Sequence, residues 1–87
     1  MKSKTTAKFW RLFDHLSPDV QRRAYRAYAL WRSHPSARGL NFKQVDAEES
    51  IYSVWIGLEY RALGALEGDT IFWFWIGHHD EYDRILG

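Results

Sequence analysis

The 87-residue sequence contains no cysteine. That excludes disulfide scaffolds, thiolate zinc sites and cysteine nucleophiles, and it makes a reducing, cytoplasmic compartment the expected setting. No apolar run approaches the roughly 20 residues of a membrane helix. The opening Met-Lys-Ser-Lys-Thr-Thr is basic but lacks an apolar segment behind it, so it does not read as a secretory signal. Proline occurs twice. There is no phosphate-cradling glycine loop and no serine or threonine nucleophile motif. Strong charge of one sign is missing too, with a net of only +1.

What is present is aromatic mass. Apolar residues make up 46% of the chain and Trp, Tyr and Phe together 17%. A domain this small buries a modest share of its surface, and large rings compensate by burying about 150–250 Å² each. One domain over residues 1–87 is expected. The charge is also unevenly divided. Residues 1–43 carry ten cations against Asp14 and Asp19, a net of +8. Residues 44–87 carry Arg61 and Arg84 against nine acids, a net of −7. Either the halves neutralise each other, or the basic half meets a polyanion or an acidic partner.

Phe9, Leu12, Phe13 and Leu16 recur at helical spacing and predict a helix from Ala7 to Leu16. Ser17-Pro18-Asp19 is a helix start, with a capping hydroxyl, a proline at the first position and an acid near the positive end of the dipole. The second helix is expected from Pro18 to Ser33, ended by His34-Pro35. Its inner stripe is Val20, Ala24, Ala27 and Trp31, small enough at the alanines to let the two helices approach. Four arginines lie mostly off that stripe. Residues 1–6 read as a frayed terminus or a short edge strand.

The period then falls to two. Strands are expected at Leu40–Val45, Ile51–Ile56, Tyr60–Leu66 and Thr70–Ile76, the last apolar on both faces and ended by Gly77. Asp80–Leu86 closes the chain as a short helix. The fold class is α+β: an N-terminal helical hairpin packed on a three- to four-stranded antiparallel sheet, with a C-terminal helix.

Trp75-Ile76-Gly77-His78-His79-Asp80-Glu81-Tyr82 gathers titratable groups at a strand exit. Histidine suits proton transfer near neutral pH. Arg61 on the neighbouring strand can hold a phosphate through its fork of donors, or simply pair with an acid. His78 and His79 are expected to point in different directions. Consecutive residues rarely converge on one ion, so no metal is expected at His78, His79 and Asp80, and no cofactor.

Leu40-Asn41-Phe42-Lys43-Gln44-Val45, Tyr52-Ser53-Val54, Glu59-Tyr60-Arg61-Ala62-Leu63-Gly64 and Trp73-Phe74-Trp75-Ile76-Gly77-His78-His79-Asp80-Glu81-Tyr82-Asp83, following two helices, resemble the RelE/ParE superfamily of bacterial type II toxin–antitoxin toxins. The resemblance spans about residues 7–86. It implies a cytoplasmic toxin restrained by a cognate antitoxin, which would wrap an amphipathic segment along a groove or sheet edge. RelE-like members cleave mRNA on the ribosome. On that pattern Arg61, His79 and Tyr82 are the expected catalytic residues, and Lys43 and His78 the expected RNA contacts. Two features depart from it. Trp55 stands where such nucleases carry a cation, and the first strand of the fold is at most residues 2–6. The alternatives implied are a ParE-like toxin that inhibits DNA gyrase without cutting RNA, and a degenerate member that only binds an antitoxin.

Overall fold

A computed structural model describes all of residues 1–87. The order is β1 (Lys2–Thr5), α1 (Ala7–Asp14), α2 (Pro18–Ser33), a 3-10 turn (Arg38–Leu40), β2 (Lys43–Asp46), β3 (Ile51–Ile56), β4 (Tyr60–Glu67), β5 (Thr70–His78) and α3 (His79–Leu86). The strands form one sheet in the order β1-β5-β4-β3-β2. All neighbours run antiparallel except β1, which pairs parallel to β5. The sheet is therefore five-stranded and mixed, where three or four antiparallel strands were expected. The additional strand is the N-terminus, for which the sequence leaves a frayed end and a short edge strand open, and it is the edge strand. Lys-Ser-Lys-Thr offers no apolar pattern, and lysines on an outermost strand are what discourages further pairing there.

Both helices start where their caps say. Thr6 accepts from the Phe9 amide at 3.1 Å and Ser17 from the Val20 amide at 3.3 Å. The α2 bounds match the expectation. The α1 helix stops two residues early, its end tightened by the His15 and Leu16 amides reaching carbonyls three residues back. Phe9, Phe13 and Trp31 are buried with Trp73, Ile71, Ile76, Val54, Ile56 and Ala62 of the sheet. The Trp31 and Trp73 rings meet edge to face at 5.4 Å. The expected close approach of the two helices does not occur at Ala24 and Ala27. Those residues line a cavity of about 240 Å³ between the hairpin and the sheet, its rim carrying the exposed Trp10, Tyr25 and Tyr28.

The segment expected to begin a strand at Leu40 does so only at Lys43. Leu40 is spent as a buried anchor of the 3-10 turn, and Asn41 turns the chain with a φ of 43°. On β5 the irregularity opposite Leu63 and Gly64 leaves Phe74 without a partner. This bulge changes the parity of the strand. Ile71 and Trp73 face the helices before it and Ile76 after it, while Trp75 turns to the other face, opposite Leu63. The strand runs through Gly77 to His78 instead of ending at Gly77.

Candidate active site

The face of the sheet turned away from the hairpin carries the candidate residues from β2 to β5. In one row stand Lys43, Ser53, Leu63 and Trp75; in the next stand Trp55, Arg61 and Gly77. Gly77 is required there because a Cβ would lie 2.7 and 2.9 Å from the Trp75 indole. The ring folded over the glycine leaves the neighbouring position on β4 open for Arg61.

Arg61 is held on three sides. Its guanidinium lies over the Trp55 ring, 4.3 Å from the centroid. Its Nη1 donates to the Leu58 carbonyl at 3.0 Å and the Tyr60 carbonyl at 2.9 Å. No carboxylate pairs with it. Nε and Nη2 remain as donors on a guanidinium whose plane is already fixed, which is the arrangement a bidentate phosphate contact needs.

The two histidines sit at the same end of the sheet. His78 pairs with Tyr60 across β4, their rings 5.4 Å apart and edge to face. The His79 amide donates to the Glu59 carbonyl at 2.8 Å. His78 is also the N-cap of α3: its Nδ1 accepts from the Asp80 amide at 3.1 Å, which puts the ring proton on Nε2, facing Glu59 at 3.6 Å. The expectation that the two imidazoles diverge is overturned. They stack at 4.5 Å with 29° between planes, because strand alternation ends at His78 and His79 is already helical. His79 Nδ1 lies 3.5 Å from Asp80 and 3.7 Å from Asp83, one turn along. Tyr82 is half-buried on the same stretch of α3, three residues past His79.

Arg61 and His78 thus lie at the end of the sheet next to the Gly57–Glu59 turn, Arg61 on the face away from the hairpin and His78 on the hairpin side with the His79 ring stacked on it, while Tyr82 follows along α3. Lys43 stands apart, two strands over (about 10 Å) and one same-face step (about 7 Å) along.

A profile of the ParE-like toxin domain matches residues 18–84. The chain belongs to the ParE-like toxin domain family. No curated protein matches this toxin domain by sequence. Several solved structures share its fold. The toxin of a RelB-RelE antitoxin-toxin complex from Methanococcus jannaschii is 16% identical, with a TM-score of 0.74 over 97% of this chain and 99% of that one. YafQ from E. coli strain BL21(DE3) is 6% identical, TM-score 0.73, over 93% and 96%. A YoeB/ParE toxin from Agrobacterium tumefaciens is 14% identical, TM-score 0.70, over 91% and 99%. The ParE-like domain is accordingly a member of the RelE/ParE superfamily, with the α+β architecture of those toxins.

Two contributors to the toxin domain's site lie outside the residues the sequence pointed to. Trp55, read as a missing cation, is the platform under Arg61. The signal was available: a tight turn pairing Ile56 with Tyr60 puts Trp55 opposite Arg61. The other is the acid set of Glu59, Asp80 and Asp83 around the imidazoles. The donor atoms of His78, His79 and Asp80 come within 4.8 Å of one another, so consecutive residues do converge here. The His78 Nδ1 lone pair is already occupied by the cap, and the positive end of the helix dipole points at the cluster. Both facts make these residues a hydrogen-bonded set before they are a cation cage.

Proposed function

We propose that this toxin domain is an endoribonuclease that cleaves mRNA on the ribosome and is held inactive by a cognate antitoxin. The observation that carries the reading is the fixed Arg61 fork, free of any carboxylate partner, at the same end of the sheet as the stacked His78 and His79 rings. The reaction is attack of a ribose 2′-oxygen on the adjacent 3′-phosphorus. The P–O2′ bond forms, the bond to the departing 5′-oxygen breaks, and a 2′,3′-cyclic phosphate is left. His79 accepts the 2′-hydroxyl proton and Tyr82 supplies one to the leaving oxygen. Arg61 faces the phosphorane oxygens, where charge accumulates. His78 through its Nε2 proton and Lys43 further along the strand hold the RNA backbone.

A neighbour supports the antitoxin as partner: the M. jannaschii toxin is found with its antitoxin. For this chain the exposed Trp10, Tyr25 and Tyr28 at the rim of the apolar cavity offer an amphipathic antitoxin segment a seat. The absence of cations from Ile51–Ile56 favours a second reading, a gyrase-directed toxin. Purified protein incubated with programmed ribosomes separates the two. Cleavage by the wild type, lowered at least a hundredfold in Arg61→Ala, is expected. Intact mRNA together with gyrase-linked DNA breaks would establish the second reading instead.

A further inference from the structure

On the side of β3 away from β4, the sheet edge is unfinished next to the turn. β2 begins at Lys43 opposite Ser53, so Val54 to Ile56 of β3 have no partner on that side. Helix α2 and the 3-10 turn pass over the gap and leave a shallow hollow of about 250 Å³. Its walls include the Arg23 and Arg26 side chains from neighbouring turns of α2, and its apolar lining includes Leu30, Leu40 and Trp55. No acid lines it. Arg26 pairs with no carboxylate, and Arg23 shares Asp19 with Arg22 in an exposed pair of the kind worth little. Trp55 therefore belongs to two features at once: it carries the Arg61 guanidinium, and it lines this hollow.

Two guanidiniums beside an aromatic ring, Arg26 without a carboxylate and Arg23 in an exposed ion pair that a phosphate can displace, are the combination that binds a single nucleic-acid strand, charge tracking the phosphates and the ring meeting a base. We propose that the hollow is a second RNA subsite. Arg23 and Arg26 contact phosphates flanking the bond to be cut, and Trp55 is the stacking platform between that segment and Arg61. The inference rests on the ribonuclease reading and extends it to where the strand runs. It also gives the basic first half of the chain a ligand, a phosphodiester chain, in place of an acidic partner protein.

The test is fluorescence anisotropy of a labelled, uncleavable 2′-O-methyl RNA oligonucleotide with the full chain. The double variant Arg23→Gln/Arg26→Gln is compared with Lys8→Gln/Arg11→Gln, which removes the same charge from exposed positions on α1. Circular dichroism checks that both are folded. The hollow variant should bind at least tenfold more weakly, and its slope of log affinity against log salt should flatten by about 1.4, two contacts at about 0.7 each. The α1 variant should lose less than threefold. Equal losses in the two variants, or no binding by the wild type, overturn the subsite. So does a hollow variant that keeps RNA affinity but no longer binds the antitoxin. Ribosome-dependent cleavage is scored separately: cutting without a difference between the variants sinks only the subsite, and a selective loss without cutting sinks only the nuclease reading.

Discussion

At position 77 any side chain would enter the Trp75 indole, and through it disturb the row that holds Arg61. Gly77→Ala should therefore cost about 1–3 kcal/mol of stability, the ordinary penalty for overpacking. A urea titration followed by tryptophan fluorescence reads it, and an unchanged midpoint would contradict the close contact. Tyr28 gives a second check. The Ser3 hydroxyl, hydrogen-bonded to its oxygen, lowers the pKa of the phenol, Arg32 adds to the effect, and partial burial opposes them. Phenolate absorbance should show one tyrosine titrating below the ordinary value near 10. That component should vanish in Tyr28→Phe; its survival would place the shift elsewhere.

Among the elements, α2 was legible to the residue because cap, proline start and proline stop each have a local cause. The Ser17 cap has its own prediction. Ser17→Ala should lower stability by about 1 kcal/mol. In a chain of this size that is about 4–8 °C of melting temperature, and a shift under one degree would mean the cap contributes nothing. β3 was equally legible from its β-branched and aromatic run. What failed had tertiary causes. β1 has no pattern of its own, so the sequence leaves it between a frayed end and an edge strand, and its parallel pairing comes from the carbonyls and amides that the β5 edge offers. Leu40 was recruited into the core before the strand began. The bulge at Phe74 and the passage through Gly77 depend on where one indole lies, which no local rule states. Of the site, the residue types and their order along the chain were readable, and the Arg61–Trp55 pair was derivable from the turn. The stacking of His78 on His79 was not, since it arises where one regular structure hands over to another.

Across the whole molecule the two halves do not neutralise one another. The one ion pair joining them is the exposed Lys2–Asp69 contact at 3.9 Å, at the sheet edge. The cations of α2 and its flanks stay available to a polyanion, while the acids collect around the turns and α3. The fold is shared with toxins as little as 6% identical, so architecture alone assigns no activity, and chemistry must be argued from the site. The decisive measurement is the end group and rate of mRNA cleavage on programmed ribosomes by the wild type and by His79→Ala. The account requires 2′,3′-cyclic phosphate ends from the wild type and a rate at least a hundredfold lower from the folded variant. Cleavage at the wild-type rate by that variant would contradict it.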